Sequence, residues 1–108
     1  MKQLFGQYIK SLRTEKGLTL TQLGAKLGID SANLSKIENG KREFDEKKLE
    51  ILSEIFNLNL KELKIEFFGE FFAKKLYNSD CSTDAFVVAE EKIKYLRQQN
   101  VKQAKLNL

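Results

Sequence analysis

The chain has 108 residues, of which 42% are hydrophobic and 31% charged, and its formal net charge is +4, values that fit a globular protein and are compatible with a nucleic-acid partner. It has no histidine and a single cysteine, Cys81, so it lacks the commonest general base and cannot form an internal disulfide. With no glycine-rich phosphate loop and no stretch near the ~18 apolar residues of a membrane span, we expect a cytoplasmic non-enzyme without a metal, cofactor or membrane partner.

Apolar residues recur at spacings of three and four along almost the whole chain, which predicts an all-α fold. The first helix is expected from about Lys2 to Lys16, with Gly17 at its end. Thr19 and Gln22 form a capping box, so a second, short helix is expected to begin after Thr19 and to end at Gly28.

Polar residues suited to helix capping also precede three of the later helices. We expect the later helices at residues 31–39 after Asp30, in a segment following Asp45, from about Leu60 to Tyr77, and from Ser82 or Thr83 to about Gln99.

The segment from Leu18 to Arg42 predicts two short helices joined by a tight turn at residues 28–30, the arrangement of a helix-turn-helix unit. Gly24 leaves room for the two helices to cross closely. The outward face of the second of these helices carries short polar side chains, which can approach base edges in a major groove. These residues are Ser31, Ala32, Asn33, Ser35 and Lys36.

Residues 5–63 resemble the lambda-repressor-like family of DNA-binding domains, also called the Cro/repressor or XRE family. The resemblance includes the leucine-rich second helix, the Gly28-Ile29 turn and the sequence Leu-Ser-Lys-Ile-Glu-Asn-Gly-Lys-Arg at residues 34–42. It implies a lambda-repressor-like bundle of about five helices, followed by a C-terminal helical extension. Restriction-modification controller proteins and small phage-type repressors have a similar organisation.

The resemblance also implies roles for individual residues. Base-reading positions fall on Ser31, Ala32, Asn33 and Lys36, and phosphate-binding positions fall on Thr19, Ser35, Asn39, Lys41 and Arg42. Taken alone, Lys36, Lys41 and Arg42 are more typical of an ordinary solvated surface, and only the surrounding motif favours phosphate contact by Lys41 and Arg42. Arg13 and Glu38 match a buried ion pair that ties the first helix to the third, which we interpret as scaffolding.

Two departures from the family pattern affect the target sequence. Leu20 stands where many members have a glutamine that touches phosphate, and Ser31 and Ala32 replace glutamines common at the head of the recognition helix. These changes preserve the predicted fold but leave the operator sequence undefined.

The second half of the chain contains an unusual concentration of phenylalanines. We divide the chain into a DNA-binding domain, residues 1–63, and an extension, residues 64–108, and expect the extension to supply a homodimer interface. The candidate interface residues are Phe67, Phe68, Phe71, Phe72 and Phe86. The alternatives are that these helices only complete an intramolecular core, or that they bind a different partner.

These observations predict a sequence-specific regulator that binds double-stranded DNA as a homodimer on a partly palindromic operator, with no small-molecule effector. The alternative function is a protein-interaction module, or an autoregulating antitoxin, that binds another protein through the phenylalanine-rich helices.

Overall fold

The computed structural model describes the backbone of residues 3–106 and the side chains of residues 3–102. All regular secondary structure in this range is helical, which confirms the all-α prediction. No helix within it is long and apolar enough to cross a membrane. The helices are α1 (Phe5–Glu15), α2 (Leu20–Leu27), α3 (Ser31–Glu38), a 3-10 turn (Glu46–Lys48), α4 (Leu49–Phe56), α5 (Leu60–Asn78) and α6 (Ala85–Leu106).

The caps predicted around α2 and α3 are confirmed. The Thr19 hydroxyl accepts from the backbone N–H of Gln22 at 3.1 Å, and the Gln22 side chain accepts from the backbone N–H of Thr19 at 2.9 Å. Gly28 ends α2 with a φ of 70°, a left-handed conformation that glycine adopts without steric cost. Asp30 caps α3, since its Oδ1 accepts from the backbone N–H of Asn33 at 2.8 Å.

Helices α1 and α6 differ from the prediction in their boundaries. Helix α1 begins at Phe5 rather than at Lys2, and its first N–H donates to Glu70 Oε1 of α5 at 2.7 Å. The carboxylate of Glu70 thus accepts a hydrogen bond from an N–H group that has no partner within the helix, since Leu4 provides no side-chain cap. Helix α6 begins at Ala85, beyond the start that a cap at Ser82 or Thr83 predicts. Helix α6 continues to Leu106 instead of ending near Gln99, because the intervening residues contain neither glycine nor proline.

One hydrophobic core is formed by α1 to α4, the loop after α3 and the first half of α5. Phe44 lies in that loop and packs against Phe5, with ring centroids 5.7 Å apart. Phe44 was not predicted from the sequence to be part of the core. The buried apolar residues are Phe5, Ile9, Leu23, Leu27, Leu34, Ile37, Phe44, Leu49, Leu52, Leu63 and Phe67.

The chain divides into two compact units, with the boundary between Phe72 and Ala73. The first unit extends into α5 beyond residue 63, because Phe67 packs edge-on against Phe5 with ring centroids 5.4 Å apart and is only 8% exposed. The second unit contains the end of α5 and α6, and none of its side chains between residues 73 and 102 is buried.

Arg13 and Glu38 tie α1 to α3. The guanidinium donates to both carboxylate oxygens, at 2.8 Å from Nε and 3.0 Å from Nη2, and its Nη1 donates to the Leu18 carbonyl at 3.0 Å. The hydrogen bond to Glu38 raises the pKa of Arg13, and the Glu38 side chain is only 3% exposed. This bidentate pair fixes the end of α3 relative to the first helix.

We expect Phe67→Ala to lower the free energy of unfolding by about 3 kcal/mol or more, because it empties a volume at the centre of an aromatic cluster. Ile65→Ala on the same helix is the matched control, since Ile65 is largely exposed. It should change the stability by less than about 0.5 kcal/mol. Chemical denaturation measures both, and equal effects would contradict the assignment of Phe67 to the core.

Glu38→Ala should lower the free energy of unfolding by about 3 kcal/mol, because it leaves a nearly buried guanidinium without its carboxylate. Glu54→Ala, which removes an exposed carboxylate from α4, is the control and should melt like wild type. If Glu38→Ala melted like wild type but no longer bound DNA, the interpretation of the pair as scaffolding would be wrong.

Candidate nucleic-acid interface

Helices α2 and α3 cross closely at Gly24. A side chain at this position would collide with the Ile29 carbonyl oxygen, which lies just before α3. The contact requires glycine, so it sets the separation of the two helices. The Gly24 carbonyl also accepts from the backbone N–H of Ile29 at 2.9 Å, which closes the turn.

The two faces of α3 differ in chemistry. Leu34 and Ile37 are buried in the core. Four of the predicted DNA-facing residues of α3 form its outer surface, where Ser31, Ala32 and Lys36 are exposed and Ser35 is half-buried. The outer face of α3 therefore consists of short side chains and one cation. It is open enough to contact base edges in a DNA groove.

Asn33 lies on the same surface but is held by two neighbours. Its side-chain Nδ2 donates to Asp30 Oδ2 at 2.7 Å, and its Oδ1 accepts from Arg42 Nη1 at 2.6 Å. Arg42 thus folds back from the loop after α3 to the first turn of that helix. Asn33 and Arg42 were predicted to have different roles, and their hydrogen bond was not predicted. No spacing rule would have shown it, because the two residues face each other only through the conformation of the loop.

The remaining predicted phosphate-binding residues lie at two places around the α2-α3 unit. Thr19 is at the start of α2, where its hydroxyl serves the capping box. Asn39 and Lys41 flank Gly40, whose φ is 75°, and both are exposed. Asn39 Nδ2 donates to Ser35 Oγ at 3.5 Å. The structure therefore brings Ser35, Asn39 and Lys41 together at the end of α3, with Thr19 on the preceding helix.

Two other lysines serve the scaffold. Lys48 Nζ donates to the Leu27 carbonyl at the end of α2, at 2.8 Å, and Lys16 Nζ donates to the Ile55 carbonyl near the end of α4, at 2.6 Å. Lys16 also lies 5.5 Å from the centroid of the Phe56 ring. Cations at helix C-termini are favourable because the last carbonyls have no partner within the helix.

The five candidate interface residues differ in burial. Phe67 is buried in the first unit, and Phe68 is half-buried and packs edge-on against it, with centroids 5.1 Å apart. Phe71 is 47% exposed, Phe72 is similarly exposed, and the two rings contact each other edge-on. Phe86, on α6, is 45% exposed. Three of the five residues thus offer substantial apolar surface.

Comparison with curated proteins identifies relatives that match a 38-residue segment of this chain. The HTH-type transcriptional regulator RghRB of Bacillus subtilis is 55% identical over 38 residues, which are 35% of this chain and 27% of that protein. The HTH-type transcriptional repressor RghR of Bacillus subtilis is 47% identical over 38 residues, 35% of this chain and 28% of that protein. Each match thus spans little more than a quarter of the relative's length.

Solved structures include two similar chains. The master regulator for biofilm formation SinR, in complex with DNA, is 34% identical, with 54% of this chain and 94% of that chain covered and a TM-score of 0.47. The restriction-modification controller protein C.AhdI from Aeromonas hydrophila is 30% identical, with 55% and 89% covered and a TM-score of 0.49.

The family model for helix-turn-helix proteins matches residues 9–63, just over half of the chain. This range contains the capped α2, the turn at Gly28 and the polar face of α3. The chain therefore belongs to the XRE-type helix-turn-helix family of transcriptional regulators.

Proposed function

We propose that this protein binds double-stranded DNA in a sequence-specific manner and regulates transcription as a homodimer, in the way of a repressor or controller protein. The observation that carries the proposal is the outer face of α3, where Ser31, Ala32 and Lys36 are exposed. Buried apolar residues on the opposite face hold the helix in the core. The location expected for this activity is the cytoplasm.

The proposed reading surface is the outer face of α3, from Ser31 in its first turn to Lys36 in its last. Lys36 can donate to guanine O6 or N7, Ala32 can contact a thymine methyl group, and the Ser31 hydroxyl can donate or accept. Short side chains allow the helix backbone to approach the base pairs closely. Asn33 belongs to this surface by position.

The proposed phosphate contacts lie around that surface. Thr19 and the N-terminus of α2 suit one phosphate, because the first N–H groups of a helix attract anions. Ser35, Asn39 and Lys41 at the end of α3 suit another, and Arg42 adds a cation near the first turn. Such contacts orient the protein on the duplex and make its affinity depend on salt.

We assign the homodimer interface to the extension, residues 64–108. Phe71, Phe72 and Phe86 expose apolar surface that a monomer would leave in water, and exposed patches of this kind usually mark interaction sites. Helix α6 has 22 residues, and none of its described side chains is buried. An isolated helix with so little packing gains stability from a partner. Two copies would also match the two-fold symmetry of a partly palindromic operator.

The same exposed phenylalanines support a second candidate function, a module or autoregulating antitoxin that binds a different protein. In that case α5 and α6 would form a heteromeric contact. The cations Lys36, Lys41 and Arg42 around α3 favour the DNA-binding proposal, because a protein partner bound at α5 and α6 would not require them.

Selection of duplexes from a random library should enrich two inverted half-sites about one helical turn apart. Binding of the selected duplex should fall by about 10³-fold or more between roughly 50 and 200 mM salt, because phosphate contacts release counterions. Footprinting shows which nucleotides of the selected duplex the protein contacts. Failure to enrich any sequence at low salt would contradict the proposal and favour the protein-interaction function.

Phe71→Glu should convert the dimer to a monomer and weaken binding to the selected operator, because it introduces a charge into an apolar contact. Light scattering measures the mass in solution. Ile51→Glu, which places the same charge at an exposed apolar position of α4, is the matched control and should remain dimeric. An unchanged mass for Phe71→Glu would exclude this part of α5 from the interface.

A further inference from the structure

The side chains of Asp30, Asn33 and Arg42 form a hydrogen-bonded chain at the first turn of α3. Asp30 uses both carboxylate oxygens, since Oδ1 accepts from the backbone N–H of Asn33 at 2.8 Å and Oδ2 accepts from the side-chain Nδ2 at 2.7 Å. Asn33 Oδ1 then accepts from Arg42 Nη1 at 2.6 Å. The chain links the helix cap, through Asn33, to Arg42, which lies nine residues beyond Asn33.

The chemistry of the two outer groups determines the orientation of the amide. A carboxylate only accepts hydrogen bonds and a guanidinium only donates them. The Asn33 side chain therefore turns its NH₂ group toward Asp30 and its oxygen toward Arg42. The opposite orientation would place donor against donor and acceptor against acceptor.

This arrangement engages both polar atoms that Asn33 would need for reading a base, and it fixes their orientation. Bidentate pairing with adenine requires the amide oxygen to accept from N6 and the NH₂ group to donate to N7. Both atoms are already bonded to charged partners, and hydrogen bonds with an ionised partner are stronger than neutral ones. The amide keeps one further hydrogen and one further lone pair, but an adenine can use them only in the orientation that Asp30 and Arg42 impose on the side chain.

Arg42, by contrast, keeps further donors for a ligand. Its side chain is exposed, and a guanidinium has N–H groups beyond the one donated to Asn33. Asn33 holds these donors at the first turn of α3, the end of a recognition helix that contacts base edges. Arginine recognises guanine through O6 and N7 with paired donors, which is the commonest specific contact in the major groove.

We infer that Arg42 reads a guanine beside the first turn of α3 and that Asn33 is a positioning residue that aims it. This inference rests on the proposed function and reassigns two residues within it: Asn33 does not read a base directly, and Arg42 contributes to specificity as well as to affinity. Asp30 acts through Asn33, so a single carboxylate both begins the helix and fixes the arginine.

The test compares the base preferences of wild type, Arg42→Ala, Asn33→Ala and the double variant on duplexes that differ from the selected operator by one base pair. Arg42→Ala should reduce the preference for one G·C pair in each half-site by about tenfold or more. Asn33→Ala should weaken the preference at that same pair. The double variant should match Arg42→Ala, because Asn33 acts only through Arg42.

Lys41→Ala is the matched control for the loss of a cation. It should weaken binding to every duplex by a similar factor and reduce the salt dependence, with base preferences unchanged. Thermal melting of the DNA-free variants checks their folding. Asn33→Ala keeps the backbone N–H that Asp30 caps, so α3 should still form.

Two results would overturn the inference while wild type still selects an operator. In the first, Arg42→Ala weakens all duplexes equally, as Lys41→Ala does. In the second, Asn33→Ala removes a preference at a separate A·T pair, and its effect adds to that of Arg42→Ala. A wild type that selects no sequence would overturn the proposed function, and this inference with it.

Discussion

Two neighbouring helices each place a glycine against the backbone at one end of α3, where there is no room for a larger residue. Gly24 of α2 lies against the Ile29 carbonyl just before the helix, and Gly6 of α1 lies against the Ile37 carbonyl near its end. A Cβ at either position would collide with main-chain oxygen, which cannot move as a flexible side chain can. These two contacts set the position of α3, and the buried Leu34 and Ile37 set its rotation.

Polar interactions then stabilise the placement that packing defines. The Arg13-Glu38 pair crosses from α1 to the end of α3, and the Asp30 cap begins the same helix. Lys48 binds the last turn of α2. These charged groups are used within the scaffold, whereas Lys36 and Lys41 remain on the surface. The domain thus separates cations that hold the fold from cations available to a polyanion, a distinction that net charge alone does not make.

The second half of the chain combines core and exposed surface in one helix. Phe67 completes the core of the first unit against Phe5, while Phe71 and Phe72, less than two turns further along α5, are about half exposed. The five phenylalanines of the extension were predicted together, as one candidate interface. Their concentration in the sequence does not distinguish Phe67, which packs inward, from Phe71, Phe72 and Phe86, which are exposed. The homodimer is therefore proposed from the exposed members, on α5 and α6.

The sequence by itself determined the helical class, the family and the ends of α2 and α3, because capping depends on residues three positions apart, such as Thr19 and Gln22. Only the tertiary structure decided the contacts between distant residues. These include the bond between Arg42 and Asn33, the Glu70 cap on α1 and the burial of Phe67. Such contacts depend on loop conformation and on which helix faces meet, and a periodic pattern in the sequence specifies neither.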